Sequence, residues 1–487
     1  MRRLLKDLGL YWRSLADGLR GGWNRFFFSP ADPTTVGLIR AMTGLLAFWS
    51  LLVLGMDLDA YLGSGGWQSA DLAWSSLRPF AWSIWFLVGD AWLRPAWVAA
   101  LVVILLFSLG AFSRVTAVLS WVIVVSTIRR APAALFGFDQ VISMLLIYLA
   151  ATGSSGQAFS LDRYWRRWRE ARKTARALPA RYRADGLGRA VSPASPGLPP
   201  ATVSANIALR MIQLHLVVIY GIAGLAKLQG PSWWNGEAVW RMMATGEFVI
   251  LDFTPLARWP MVLAALTHAS LALELLYPVL IWNRLTRPLV LAGVVGLHLG
   301  IAVVNPGLAE FALVMLTANL AFVSGLALRR LATGIDQPAV RVLFDGACPR
   351  CRGWMALLSA ADPDHVLEPV DLTAVDVRTV HAGLTDEACL QAMHAVTRDG
   401  RVTAGFDALR AILLRLPLFW PAGLAGFFPG VAWAGRIGYN WYAASRPRDV
   451  PCTDMVCSIH SRTSSPAARD RVRSHAPNNA TAIQEDS

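Results

Sequence analysis

Apolar runs long enough to cross a lipid bilayer recur through the first two thirds of this chain, and nothing else in the sequence restricts the fold as strongly. A hydrocarbon core of about 30 Å takes roughly 20 apolar residues as helix, and inside it every backbone amide must be paired within the protein. Eight such runs are read near residues 35–55, 96–112, 115–128, 135–152, 205–227, 261–282, 287–304 and 308–327, the third being the shortest. Composition agrees, with 55% hydrophobic and only 16% charged residues among 487. Residues 81–92 (AWSIWFLVGDAW) are too short to span and suit the membrane interface, where tryptophan is favoured. The fold class expected is a polytopic α-helical membrane bundle of about eight spans, followed by a small α/β domain.

Charge orients the bundle, because lysine and arginine are retained on the cytoplasmic side. Residues 1–34 carry Arg2, Arg3, Lys6, Arg13, Arg20 and Arg25, and the loop 153–204 is more basic still. An even number of spans separates them, so the amino terminus, this loop and everything after residue 328 are expected in the cytoplasm. The formal charge of +13 then follows from topology and from attraction to anionic headgroups, and no nucleic-acid partner is needed. The first apolar run is of span length and begins at residue 35, which reads as an anchor rather than a cleavable signal. The location expected is the bacterial inner (plasma) membrane.

Residues 329–339 read as a linker, and 340–449 as a second domain. AVRVLFD has the β-branched character of a buried strand, DGACPRC is a turn, and RGWMALLSAAD has helical spacing. HVLEPVDL is a further strand, QAMHAVTRDGRVTAGF two strands joined at Asp399 and Gly400, and FDALRAILLRL a helix. Residues 417–445 are apolar and aromatic but are interrupted by Pro417, Pro421, Pro429 and Arg436. Two short helices, packed on the domain or on the membrane surface, are expected there. Residues 450–487 are polar and without periodicity, as in a disordered tail.

All five cysteines, Cys348, Cys351, Cys389, Cys452 and Cys457, fall in this cytoplasmic portion. A reducing compartment argues against structural disulfides. Cys348-Pro349-Arg350-Cys351 follows a strand and opens a helix, where unpaired amides and the helix dipole favour negative charge on the first sulfur. Redox chemistry is the leading reading, with Cys348 attacking, Cys351 resolving, and Asp345 orienting a proton or water or only capping the turn. A zinc site would need ligands from Cys389, His394 or the Cys452–Cys457 pair, and an inert buried pair is the third reading. FDGACPRC, followed by GFDALRAILLRLP and GRIGYNWYAASRPR, resembles the DCC family of thiol-disulfide oxidoreductases, whose motif is D-G-x-C-x-x-C. The resemblance covers about 340–448 and carries over Asp345, Gly346, Cys348 and Cys351. It implies a thioredoxin-like fold and exchange with a protein or small-molecule thiol.

In the fifth run, positions seven apart share a face, which lines up Gln213, Tyr220 and Lys227, with Arg210 one turn earlier. A polar stripe along a span normally faces a bundle interior or cavity, and Gly221 and Gly224 permit close helix approach. Lys227 reads as an interfacial anchor beside Trp233 and Trp234, as an active-site amine, or as half of a structural pair. YGIAGLAKLQGPSWWNGEAV is similar to the lysine-bearing stretch of the vitamin K-dependent gamma-carboxylases and their bacterial relatives, the HTTM family, over roughly 28–330. That resemblance places Lys227 at the position of the family's catalytic base, which deprotonates a reduced quinone. It implies a quinone or hydroquinone cofactor, and Tyr220, Gln213, Glu274 and His298 are the candidate cofactor-binding residues.

Other polar groups lie within or beside spans. Arg40 is read as pairing with Asp139 or Glu274, or as facing a cavity; Thr267, Ser270 and Glu274 share a face, with His268 pointing elsewhere. The function expected is a membrane thiol-disulfide oxidoreductase fused to a quinone-binding, carboxylase-like membrane domain. The alternatives are a non-catalytic lipid or solute transporter with an accessory interaction domain, and a carboxylase-like modification enzyme.

Overall fold

The computed structural model describes residues 2–76, 82–134, 136–167, 169, 200–245, 251–328, 340–362, 366–416 and 419–445. The expected linker 329–339, most of the basic loop, the tail 450–487, Cys452 and Cys457 lie outside the described residues. The chain divides into a helical unit, built from residues up to 166 and from 199 to 331, and a carboxy-terminal unit that holds the sheet.

The main helices of the first unit are α1 (Arg2–Phe28), α2 (Thr34–Leu54), α3 (Asp90–Leu109), α4 (Ser113–Arg130), α5 (Gly137–Thr152), α6 (Val203–Lys227), α7 (Pro260–Leu280), α8 (Arg287–Val304) and α9 (Ala309–Asn319). Among the described residues, five helices are long and apolar enough to cross a membrane: Thr34–Leu62, which contains α2, together with α3, α6, α7 and α8. Such a set is that of a membrane protein. Gly137–Thr152 and Pro306–Phe322 are apolar but shorter, and α4, the segment read as the shortest span, ends on Arg129 and Arg130. The expected count of eight thus resolves into five span-length helices, two shorter apolar ones and one helix of mixed composition.

Two segments carry more structure than expected. Residues before 34, read only as a basic flank, form the continuous helix α1, whose end is held by Asn206 Nδ2 donating to the carbonyls of Phe26 (2.7 Å) and Phe27 (2.9 Å). The short segment 81–92, read as interfacial, is also packed on α4: Trp85 is 2% exposed and its Nε1 donates to Thr127 Oγ1 at 3.0 Å. Small residues set the helix spacing. A Cβ at Gly224 would stand 3.0 Å from the backbone nitrogen of Leu275, so α6 and α7 meet backbone to side chain as expected.

In the second unit, β1 (Val340–Phe344), α10 (Pro349–Ala361), β2 (Leu367–Asp371), β3 (His394–Thr397), β4 (Val402–Ala404) and α12 (Gly405–Leu413) follow the order read from the sequence, and a short helix that was not read, α11 (Asp386–Gln391), precedes β3. The mixed sheet runs β2-β1-β3-β4, with β1 parallel to β2 and antiparallel to β3. Leu343, Val370, Val377, Leu384, Cys389 and Val396 form a core on it. The proline-broken stretch after 417 gives α13 (Trp420–Ala425) and the longer α14 (Pro429–Ala444), each with proline in its first turn, where no amide is lost.

Candidate active site

The carboxy-terminal site begins where β1 ends. Asp345 Oδ1 accepts from Ala347 N–H at 3.0 Å, and its backbone carbonyl accepts from Cys348 N–H at 3.2 Å, which closes the turn. Gly346 is required there, because a Cβ would collide with the Asp371 carboxylate. Cys348 caps α10: its Sγ accepts from Cys351 N–H at 3.2 Å, and Pro349 occupies the first helical position. Helix dipole and amide thus converge on one sulfur. Both cysteines are thiols, Cys348 fully buried and Cys351 half-buried. Arg350, read as added positive charge, donates from Nη1 to the Ser445 carbonyl at 3.0 Å.

Cys351 lines a cavity of about 280 Å³ together with Asp345, Trp354, Met355, Cys389 and Tyr442, among others. The polar atoms of two wall residues are engaged with each other, Trp354 Nε1 donating to Tyr442 Oη at 2.9 Å. Burial, with Asp386 nearby, pushes the Cys389 thiol up to about 11. That thiol is therefore a weak nucleophile at neutral pH. Among the described residues, no three His, Cys, Asp or Glu side chains gather as a metal site, and His394 Nδ1 meets the Ala392 carbonyl at 2.9 Å.

Residues 342–449 match the family model of the DCC1-like thiol-disulfide oxidoreductases. No curated protein and no solved structure matches the chain. The matched region begins within β1, runs through α14 and contains the whole Cys348–Cys351 turn, so it lies inside the carboxy-terminal unit. That match supports a redox function for this domain.

The helical unit holds a second polar assembly, and it only partly follows the stripe read along α6. Lys227 Nζ lies 2.5 Å from Glu274 Oε2 on α7, with Nζ also 5.1 Å from the centroid of the Trp233 ring. Tyr220 Oη meets His298 Nε2 on α8 at 2.8 Å, and its ring stacks on Tyr277 at 4.1 Å. Asn319 on α9 completes the group: its Oδ1 accepts from Tyr277 Oη at 2.7 Å, while Nδ2 donates to Tyr220 Oη (3.2 Å) and to the Met315 carbonyl (2.9 Å). Tyr277 and Asn319 escaped the sequence reading. Tyr277 stands three positions after Glu274 and seven after Ser270, a spacing that could have found it, whereas Asn319 shares no such spacing with a polar residue and only the folded bundle brings it to Tyr220.

The other polar residues find partners away from this group. Gln213 belongs elsewhere, Nε2 donating to the Ala321 carbonyl at 2.7 Å and Oε1 accepting from Arg210 at 2.9 Å. Arg40 pairs with neither Asp139 nor Glu274: its Nη2 donates to the Phe159 carbonyl at 2.6 Å. Asp139 instead accepts from Phe136 N–H at 3.1 Å, capping α5. His268 is exposed and meets the carbonyls of Ala264 (2.9 Å) and Trp234 (3.3 Å), while Thr267 bonds Gly236 O at 3.0 Å. Lys227 is thus half of an ion pair with Glu274.

Proposed function

We propose that this protein is a polytopic membrane thiol-disulfide oxidoreductase whose thioredoxin-like domain exchanges electrons through Cys348 and Cys351. The observation that carries the reading is Cys348 at the cap of α10, its sulfur receiving the Cys351 amide within a region that matches a redox family. Burial orders the two thiols. Cys351 borders the cavity and Cys348 does not, so Cys351 is the sulfur that meets a substrate, the reverse of the order read from sequence. In the reducing direction Cys351 thiolate attacks a substrate disulfide and expels one substrate thiolate. Cys348 thiolate then attacks Cys351 Sγ and releases the second, so that two electrons leave the pair as the Cys348–Cys351 bond forms. In reverse, Cys348 is the leaving group, and a sulfur stabilised by an amide and a helix terminus leaves readily.

The test is mixed-disulfide trapping with the full-length protein in proteoliposomes. Cys348→Ser accumulates a substrate adduct on Cys351, and Cys351→Ser accumulates none. An adduct only in Cys351→Ser would restore Cys348 as the attacking thiol, and turnover by the double variant would remove the pair from the reaction.

For the bundle, we propose a binding site for a lipid-phase quinone beside Lys227, Glu274, Tyr220 and His298, in an inner-membrane protein with both termini cytoplasmic. The part-buried Lys227–Glu274 pair favours this over a lone anchoring lysine, since polar groups held inside a bundle generally serve a site. Alkylation of Cys348 and Cys351 with and without added quinone, in wild type and Lys227→Ala, tests both the site and its link to the thiols. A thiol state that ignores quinone in both proteins separates the two halves.

A further inference from the structure

The cavity beside Cys351 has more to say than where the thiol opens. It is walled by α10, α11, α12 and α14, and its polar wall atoms are largely engaged. Besides the Trp354–Tyr442 bond, Tyr439 Oη accepts from Met393 N–H at 2.9 Å. What remains toward the space is chiefly aromatic ring, aliphatic carbon and sulfur. At about 280 Å³ it falls just short of the roughly 300–1,000 Å³ of pockets that enclose whole small ligands. It suits one bulky group.

The backbone of α14 also keeps the space open. Gly435 and Gly438 both border the cavity. A Cβ at Gly435 would collide with the Phe406 ring, so that glycine serves packing, whereas a Cβ at Gly438 would meet no atom within 4 Å. Packing does not require glycine at 438, and a larger side chain there has room to enter the cavity.

We propose that this cavity is a specificity pocket that receives an aromatic or branched aliphatic side chain carried beside the reacting cysteine of a peptide or protein substrate. The proposal rests on the thiol-disulfide reading above. With that side chain seated, the neighbouring substrate sulfur is held at Cys351, and exchange proceeds by the two attacks already described. Recognition is by apolar burial, and Cys389 forms wall rather than taking part.

The experiment uses the full-length protein in proteoliposomes, dithiothreitol as reductant, and two peptide disulfides identical except for phenylalanine or glycine beside the cysteine. Bis(2-hydroxyethyl) disulfide serves as a small probe of exchange itself. Wild type is expected to favour the phenylalanine peptide in kcat/KM by about tenfold or more. In Gly438→Leu the ratio falls to about one, and in Gly438→Ala it takes an intermediate value. The ratio is taken within each protein, so a partly folded variant still reports it. Equal rates on both peptides in wild type, or a ratio that Gly438→Leu leaves at its wild-type value, would overturn the pocket. A wild type that cannot reduce even the small disulfide would instead overturn the oxidoreductase reading on which the pocket rests.

Discussion

The thiol turn and the polar cluster of the bundle are both built from buried polar atoms, yet they are assembled in opposite ways. Asp345, Gly346, Cys348 and Cys351 lie within seven consecutive positions, and a strand end and a helix start suffice to shape them. The group around Tyr220 draws on α6, α7, α8 and α9, with Tyr220 and Asn319 99 positions apart. A local site tolerates changes elsewhere and depends on its own few atoms. A distributed site is bound into the stability of the whole bundle, so its residues are expected to report on folding as strongly as on chemistry.

The largest effect expected falls on the local site. Cys351→Ser removes the thiol that meets substrate, and disulfide exchange is expected to fall on the order of 10³-fold with the unfolding transition in place. A loss of activity matched by an equal loss of folded protein would erase the contrast between the sites. Next, Lys227→Met leaves Glu274 buried and unpaired, and is expected to cost about 3 kcal/mol in chemical unfolding. The double variant Lys227→Met/Glu274→Gln is expected to recover most of that. Strict additivity of the two single changes would show that the pair is not coupled.

Asn319→Leu is a smaller probe of the same cluster. It strips Tyr277 of its acceptor and Tyr220 of its donor, for an expected loss of about 1–3 kcal/mol while exchange at Cys351 stays at its wild-type rate. Slowed exchange in this variant would mean that the two sites communicate. The smallest effect concerns Cys389. With its thiol held up at about 11, thiolate is scarce below that pH. Iodoacetamide at pH 8 is therefore expected to modify Cys351 well ahead of Cys389, as read by peptide mass mapping, and the gap narrows as pH rises toward 11. Rapid modification of Cys389 at pH 8 would make it a second reactive thiol on the pocket wall.

Legibility in the sequence followed the same division. Apart from the short helix α11, the order of strands and helices from 340 to 416 could be read because alternation, turn residues and helical spacing are local signals. The cysteine turn could be read for the same reason. In the bundle, Lys227, Tyr220, Glu274 and His298 stood out because a polar side chain in an apolar run is conspicuous. Which of them would pair could not be read: Gln213 shares the face of Tyr220 yet bonds the Ala321 carbonyl, and no spacing rule distinguishes it. Arg40 satisfies itself on the Phe159 carbonyl, a backbone group that carries no sequence mark. Helix α1 passed unread as a helix, since its basic residues outweigh its apolar ones as a spanning signal.

By itself, the sequence determined that long apolar helices alternate with basic segments, and that a cysteine pair opens a helix after a buried strand. Both are consequences of side-chain chemistry at short range, namely transfer from water and backbone geometry. Only the tertiary structure decided that Lys227 faces Glu274, that Asn319 links Tyr220 to Tyr277, and that Cys351 rather than Cys348 borders the apolar cavity. Those outcomes depend on how helices rotate and pack against one another, and a contact between distant residues costs little in any one segment's local preferences while removing a buried unpaired group from the whole.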